Sequence, residues 1–451
     1  MTDGLLTHIT PDSFSGIIFA LEGVGGAVTL LNGPTGCKFY HSAMSDYQSI
    51  RQLAFDPLSY PAQWYFGQPR VPCTYLDSRD YVYGSGDKLE EACTFLRENV
   101  PFDLLGVVNS PGAALIGDDL RRVIGCCLPD KPVVVIESPG FSSTICDGYD
   151  IAAREVLRQL GLTDMGNRLS GTGSRLPDAH SRRAGKRRPA AVNILGMSIF
   201  HRHNTGDMQE LRRLLGLCGV DVNCFVCADC SIETLAAVPE AALNIVVYPE
   251  YADRTAQFLR ERYGTPFYVC DGPPVGFDAT EKMMGDICSL LGCDASAFAA
   301  ESEKARARAY THISRVHSMT GLPKGVRFSL EGTCSELYAY AGFLVRYFGM
   351  VLESANVLHG ESGAYRENLE RLLTGLGLSG ALQGNILEAD SELVFASGGT
   401  IAQLKLLGKR FSGIETSLPS LGYIDVLPKA SLGLTGALAI TEQVLNGLIF
   451  G

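Results

Sequence analysis

Short apolar runs alternate with longer amphipathic segments along most of this 451-residue chain. Runs that are apolar throughout are typical of strands buried on both faces of a parallel sheet, and the amphipathic segments between them predict covering helices. One such helix is predicted over residues 207–219, capped by Asp207 and ended by Gly219. The predicted strands occupy residues 103–109, 132–137, 191–196, 220–226, 243–248, 267–269, 326–330, 393–396 and 414–418.

Two breaks divide this pattern into three parts. Residues 171–189 are polar, basic and rich in turn-forming residues, which predicts a solvated connector. A long helical stretch near residues 299–318 leads into the last part. We therefore predict an α/β protein of three Rossmann-like domains, with parallel sheets flanked by helices. The expected bounds are 1–170, 190–300 and 301–451, and ligands are expected in loops at the carboxyl ends of strands.

Composition and charge exclude several classes of protein. The formal net charge of −11 argues against a nucleic-acid binder, and no apolar run is long enough to cross a membrane. The start of the chain has no export signal, so we expect a cytoplasmic protein whose fourteen cysteines are mostly reduced thiols. No G-x-x-x-x-G-K-[ST] loop is present, so we expect that this chain binds no nucleotide itself.

Several cysteines and histidines are candidates for metal or proton chemistry. Cys224, Cys227 and Cys230 have a spacing at which three thiolates can converge on one iron–sulfur cluster. The alternatives are that two of these thiols line a cavity, or that all three are inert. His201 and His203 follow a predicted strand and could ligate a metal or donate protons, although a surface loop with two histidines is the alternative.

Three further motifs, taken together, resemble the nitrogenase component 1 superfamily. They are GPTGC at residues 33–37, LIGDD at 115–119 and ESPGF at 137–141, in that order. Their order and separations are similar to those of the first domain of nitrogenase component 1 subunits and of dark-operative protochlorophyllide reductase. The resemblance continues through residues 193–266 and the segments 393–399 and 432–436. It implies an oxidoreductase subunit that shares an iron–sulfur cluster with a homologous partner subunit or with a second copy of itself.

In that family a cysteine on the glycine turn is a cluster ligand, and the matching residue is Cys37. The resemblance implies that the loops of Ser110 and Phe141 shape the cluster pocket. A ligand position earlier in the chain holds Asp12 or Ser13 here, so Asp12 is a candidate oxygen ligand.

Another family ligand position holds Pro111, so this chain cannot supply the usual three thiolates. In this it is similar to the β-like, single-ligand subunit of the protochlorophyllide reductase pair. The positions that hold the nitrogenase catalytic cofactor fall at Tyr248 or Pro249 and near Tyr423, which carry neither the cysteine nor the histidine. An iron–molybdenum-type cofactor is therefore not expected.

The resemblance leads to the hypothesis of an anaerobic, heterotetrameric reductase. Electrons would pass from an ATP-hydrolysing Fe protein, through the interface cluster, to a small molecule in a cavity between the domains. Loops at His201, Cys227 and Tyr248 are expected to face one another there. An unsaturated tetrapyrrole and a small sulfur- or nitrogen-containing molecule are both compatible with this hypothesis.

Three other hypotheses stay open. The first is a non-catalytic scaffold for cofactor assembly, on which Cys227 and Cys230 pass a cluster along. The second is a homodimer in which two copies of Cys37 and thiols from Cys73 or Cys146 complete the cluster. The third is a small-molecule binding protein in which Cys37 is inert.

Overall fold

The computed structural model of the protein describes residues 11–34, 71–137, 143–162, 187–358, 363–417 and 426–450. Within these ranges the chain forms three parallel β-sheets in succession, each covered by helices. This arrangement confirms the predicted fold class. The predicted domain bounds stay a prediction, and we refer to each sheet with its helices as the first, second and third unit. No helix in the described ranges is both long enough and apolar enough to cross a membrane.

The first unit has a three-stranded sheet in the order β1-β2-β3. The middle strand pairs with β1 from Ala27 opposite Leu104 to Asn32 opposite Asn109, so the carboxyl ends of both strands lie side by side. Strand β1 is fully buried, although the apolar pattern had not singled it out. The elements are α1 (Ser13–Glu22), β1 (Ala27–Asn32), α2 (Asp80–Tyr83), α3 (Gly86–Asn99), β2 (Leu104–Asn109), α4 (Pro111–Ala114), α5 (Leu120–Cys127), β3 (Val133–Glu137) and α6 (Ile145–Leu160).

The second unit has a four-stranded sheet in the order β5-β4-β6-β7. Its first helix begins at Asn204, so the prediction that Asp207 caps this helix is wrong. The Asp207 carboxylate lies inside the helix and accepts hydrogen bonds from the backbone N–H groups of Ser431 (2.6 Å) and Leu432 (2.8 Å). The elements are β4 (Arg188–Leu195), α7 (Asn204–Leu217), β5 (Asp221–Phe225), α8 (Ile232–Ala236), β6 (Ala241–Val246), α9 (Asp253–Tyr263), β7 (Phe267–Val269) and α10 (Phe277–Leu291), with 3₁₀ turns at Val238–Glu240 and Pro249–Tyr251.

The third unit has a four-stranded sheet in the order β11-β10-β8-β9. Strand β9 was not predicted because polar residues interrupt its apolar run. One of them, Ser354, is buried and donates a hydrogen bond to Ser329 on β8 (3.0 Å). The elements are α11 (Ser296–Thr320), β8 (Arg327–Gly332), α12 (Cys334–Phe348), β9 (Val351–Val357), α13 (Ala364–Gly375), a 3₁₀ turn (Ser379–Gln383), β10 (Leu393–Ser397), α14 (Gly398–Leu406), β11 (Ser412–Ser417) and α15 (Gly433–Phe450).

Close backbone contacts hold elements together within the first unit and between the units. Helices α1 and α6 approach so closely that a Cβ atom on Gly148 would lie 1.9 Å from the Ser13 carbonyl oxygen. The hydroxyl of Tyr149, also on α6, lies 2.5 Å from the Met197 carbonyl oxygen and 2.9 Å from that of Cys227 in the second unit. One continuous hydrophobic core includes buried residues of all three units. The carboxyl ends of the three sheets are thereby held around a common junction.

Candidate functional site

A buried hydrogen-bond network holds the start of the glycine turn at the carboxyl end of β1. The side-chain amide of Asn32 donates to the Asn109 side-chain oxygen on the neighbouring strand (3.0 Å). The Thr74 hydroxyl donates to the Asn32 side-chain oxygen (2.9 Å) and accepts from the backbone N–H of Gly33 (3.1 Å). Asn32, Gly33, Thr74 and Asn109 are all buried. Their network therefore fixes the point at which the turn leaves the sheet.

Two further side chains contact the same point. The thiol of Cys73 donates to the Gly33 carbonyl oxygen (3.0 Å) and accepts from the backbone N–H of Tyr75 (3.3 Å). On the other side, a Cβ atom on Gly33 would lie 2.7 Å from the hydroxyl oxygen of Ser110. Ser110 also caps α4, since its hydroxyl accepts from the Ala113 N–H (3.3 Å). The structure therefore places Ser110 at the base of the turn, and its role in shaping a cluster pocket stays a prediction.

Several residues named in the sequence analysis fall where the structure gives no description. Cys37 and Phe141 lie outside the described residues, as does Tyr423. Asp12 caps α1, and its carboxylate accepts from the Ser15 N–H (3.1 Å). No group of three or more His, Cys, Asp or Glu side chains in the described ranges is arranged to hold a metal ion. The roles of Cys37, Phe141 and Asp12 at a cluster stay predictions.

The cysteine run at residues 224–230 lies in a packing contact between the first and second units. All three thiols are buried, and Cys227 has a left-handed backbone with φ of 56°. A hydrogen bond to Cys230 and burial raise the pKa of Cys224 well above its usual value, and burial does the same to the pKa of Cys227. A Cβ atom on Gly23 would lie 1.9 Å from the Cys227 carbonyl oxygen. In the described structure these three thiols are buried in a core, and a second metal centre on them stays a prediction.

A small cavity, which we call the junction cavity, lies where the three units meet. Its volume of about 20 Å³ is enough for one water molecule. Two polar atoms of its lining, His201 Nε2 and Ser417 Oγ, are buried and have no hydrogen-bond partner among the described residues. An unpaired buried donor is costly, so these atoms indicate a place for a polar molecule. The lining residues are Ile145, Phe200, His201, Arg202, Tyr251, Thr333, Glu336, Leu358, Thr416 and Ser417.

The His201 ring is held as a neutral hydrogen-bond donor. Its Nδ1 accepts from the backbone N–H of Ser198 (3.1 Å), which leaves the proton on Nε2. The ring stacks on Tyr248, with 4.0 Å between centroids and 17° between planes. Burial lowers the pKa of His201 to about 3. In the structure the His201 and Tyr248 rings are in contact, and of the three predicted loops only that of His201 lines this cavity, since neither Tyr248 nor Cys227 does. A substrate cavity between these loops stays a prediction.

Glu336 is the functional candidate that the sequence analysis missed. Its carboxylate accepts from the Thr333 N–H (2.8 Å), and its own N–H donates to the Thr333 hydroxyl (3.3 Å) in a capping box at the start of α12. Burial, and to a lesser degree the nearby charge of Glu250, raise the pKa of Glu336 to about 7. The carboxyl can therefore give or take a proton near neutral pH. The sequence did contain the pattern of a capping box, Thr333-x-x-Glu336, shortly after the strand predicted over residues 326–330.

Arg202 and His203, next to His201 in the chain, each connect this region to a distant segment. The Arg202 guanidinium forms an ion pair with Glu415, whose side chain is only 1% exposed. His203, the second histidine of the predicted pair, has φ of 61°, and its Nδ1 lies 2.8 Å from the Ser431 hydroxyl. His203 does not line the junction cavity in the described structure but connects α7 to the segment before α15.

This succession of three parallel-sheet units, with polar groups gathered at their carboxyl ends, is the architecture of a component 1 oxidoreductase. The chain belongs to the nitrogenase component 1 type oxidoreductase family, whose family model matches residues 13–408. The predicted family is therefore confirmed.

Individual relatives give the same result. The chain is 28% identical over 392 residues to the B subunit of the light-independent protochlorophyllide reductase of Synechococcus sp. (strain RCC307), covering 85% of this chain and 71% of that protein. It is 30% identical over 260 residues to the B subunit of the same reductase from Halorhodospira halophila (strain DSM 244 / SL1), covering 56% and 46%. A solved structure of nitrogenase Cp1 at pH 6.5 has a TM-score of 0.75 at 15% identity, covering 98% of this chain and 93% of that one. The similarity to B subunits supports the β-like assignment.

Proposed function

We propose that the chain is the β-like subunit of a nitrogenase-like two-component reductase. It pairs with a homologous component 1 subunit and receives single electrons from an ATP-hydrolysing Fe protein. The observation that carries the proposal is the junction cavity, where the unpaired Nε2–H of His201 and the titratable carboxyl of Glu336 line one space. A substrate that takes up electrons one at a time also needs protons, and these two groups are suited to supply and direct them.

The two groups have different tasks in this proposal. A histidine whose pKa is about 3 does not become a cation near neutral pH, so His201 acts as a fixed hydrogen-bond donor that orients the one water-sized molecule for which the cavity has room. Glu336, with a pKa of about 7, holds an exchangeable proton and delivers it through that molecule to a reduced substrate bound next to the cavity. Phe200 and Tyr251 form apolar parts of the lining and limit the entry of further water.

The residues at the glycine turn fit a cluster of which this chain supplies a minority of ligands. When bound, an iron–sulfur cluster relays single electrons, and Cys37 is the thiolate proposed to hold it. Cys73, whose thiol contacts the start of the turn, already forms hydrogen bonds with Gly33 and Tyr75. Cys146 is buried in the core, and burial raises its pKa well above the usual value. The remaining ligands are therefore assigned to the partner subunit, and a homodimer completed by Cys73 or Cys146 is less well supported.

The scaffold hypothesis required thiols that can pass a cluster along. Cys227 and Cys230 are 0% and 5% exposed, and they lie under the contact with the first unit. Thiols at such positions cannot reach a donor or acceptor protein without separating two units. We therefore prefer the reductase to the scaffold.

Anaerobic iron and sulfide analysis with low-temperature EPR tests the shared cluster. The chain is expressed alone and with a homologous component 1 subunit, as wild type, Cys37→Ala and Cys93→Ala. A cluster signal is expected only in the complex, lost in Cys37→Ala and kept in Cys93→Ala, since Cys93 is a core thiol in the first unit. Iron that binds to the lone chain and survives Cys37→Ala would contradict the proposal.

A second experiment tests the cavity. The loaded complex is assayed with protochlorophyllide as the first probe, because that compound appears in the names of the B-subunit relatives. Glu336→Gln is expected to lower the rate on the order of 10²-fold, since general acid catalysis typically contributes that much or more. An unchanged rate and an unchanged pH profile in Glu336→Gln would remove Glu336 from the mechanism.

A further inference from the structure

A second cavity lies on the flank of the molecule, between α10 of the second unit and α12 of the third. We call it the flank cavity. Its volume is about 130 Å³, and it opens beyond the carboxyl end of β7, where parallel sheets commonly bind ligands. It shares no lining residue with the junction cavity. Nothing proposed above for electron or proton transfer uses it.

The interior of the flank cavity is apolar and is kept open by a glycine. Val275, Met283 and Phe343 line it and are each more than nine-tenths buried. Gly342 lies in the middle of α12, where glycine costs about 1 kcal/mol relative to alanine. A Cβ atom there would meet no described residue within 4 Å, so packing within the described part of the chain does not explain this residue. A ligand that fills the space would explain it.

Two bases near the entrance are each paired with two carboxylates. Lys282 lies 3.5 Å from Asp271 and 3.1 Å from Asp286, and Arg306 lies 2.5 Å from Asp278 and 2.7 Å from Glu281. The guanidinium of Arg346 forms no ion pair or hydrogen bond with any residue in the described ranges. Of the two cations in the lining, Arg346 is therefore the one whose donors are left for a ligand.

One helix face presents both polar groups of the site. Tyr338, Gly342 and Arg346 are spaced four residues apart on α12 and so lie on the same face. The Tyr338 hydroxyl, like the Arg346 guanidinium, forms no hydrogen bond with a described residue. A donor hydroxyl and a cation thus flank the gap above Gly342.

We propose that the flank cavity binds a small organic acid with a single-ring apolar body. A cavity of about 150 Å³ is known to hold benzene, so 130 Å³ suits one ring. The ring lies against Phe343 and Met283 over Gly342, and the carboxylate pairs with Arg346 and accepts from the Tyr338 hydroxyl. Arginine is well suited to this role because its planar fork matches a carboxylate. This site does not depend on the reductase function.

Titration calorimetry with benzoate and with uncharged benzyl alcohol tests the proposal on the full chain. Benzoate is expected to bind saturably to the wild type. Arg346→Met is expected to weaken benzoate binding on the order of tenfold while leaving benzyl alcohol unchanged, because only the charge-assisted contact is lost. Arg262→Met, which removes an exposed arginine on α9, is the matched control and should change neither affinity.

Substitutions that fill the flank cavity are the second test of the proposal. Gly342→Leu is expected to abolish binding of both compounds, whereas Gly285→Leu should not, since Gly285 is a helical glycine with equally open space that does not line the flank cavity. If Gly342→Leu lowers the melting temperature, Ala279→Leu fills the same space from α10. The proposal is overturned if wild type shows no saturable benzoate binding, if Arg346→Met binds benzoate as tightly as wild type, or if the filled variants still bind.

Discussion

Replacing Glu336 by glutamine should change how stability depends on pH. The carboxyl has a pKa of about 7 in the folded protein, against a usual value of 4.5. Between these two values the unfolded chain has released the proton and the folded chain still holds it. Raising the pH through this window therefore lowers the free energy of unfolding of the wild type. Glutamine cannot ionise, yet its side-chain oxygen can still accept from the Thr333 N–H, so the variant avoids this loss.

The magnitude follows from the width of that window. One pKa unit corresponds to about 1.4 kcal/mol, so a shift from 4.5 to about 7 corresponds to about 3 kcal/mol. Glu336 is only partly buried, and residual solvent reduces the effect. We expect the variant to gain about 2–3 kcal/mol over the wild type between pH 4.5 and 7, with no further gain above that range.

Urea unfolding followed by circular dichroism, repeated every half pH unit from 4.5 to 8, measures this difference. Equal m-values for the two proteins at each pH make the free energies comparable. Glu367→Gln, which removes an exposed glutamate on α13, controls for the loss of one negative charge. A difference between Glu336→Gln and wild type that stays constant over the whole range would refute the assigned pKa and, with it, the role of Glu336 as a proton donor.

Four further substitutions, each followed by urea unfolding, test packing within and between the units. Tyr149→Phe should lower the free energy of unfolding by about 1–3 kcal/mol, because buried carbonyl oxygens lose their donor. Arg202→Met should cost about 3–5 kcal/mol by removing the cation that pairs with the buried Glu415 carboxylate, and adding Glu415→Gln should restore part of that loss. Gly148→Ala should destabilise by about 1–3 kcal/mol through its clash with α1. Gly285→Ala, where space is open, should stabilise by about 0.5–1 kcal/mol.

Local apolar patterns were sufficient to predict most of the fold. The strand predicted over residues 267–269 matches β7, and the predicted run 132–137 contains β3. Strand β9 was missed because Glu353 and Ser354 bond to side chains on other segments, and a single-strand pattern does not reveal such partners. Asp207 was mistaken for a cap for the same reason, since its partners lie more than 220 positions away.

The site residues that could be predicted are those with reactive side chains in loops that follow strands. His201 and Tyr248 follow strands and were identified, and Glu336 carried a readable capping signal. The unpaired Nε2 of His201 and the Arg202–Glu415 pair depend on which distant segments meet, so no local rule predicts them. For the cysteine run, a spacing argument considers only thiols, whereas the structure also uses the carbonyl oxygen of Cys227 as a hydrogen-bond acceptor in a packing contact. Which of the three alternatives for these thiols holds stays open.

The contact between Asp207 and Ser431 can form only late in the synthesis of the chain on the ribosome. The two residues are 224 positions apart. At typical elongation rates of about 5–20 residues per second, roughly 10–45 s pass between their emergence from the ribosome. During that interval the carboxylate has no backbone donors, and the surface of α7 that α15 later covers faces water. The nascent second unit therefore exposes this surface until the end of the chain is made, and substitutions that weaken the contact with Ser431 and Leu432 should lower the yield of folded protein more than they lower the stability of the finished chain.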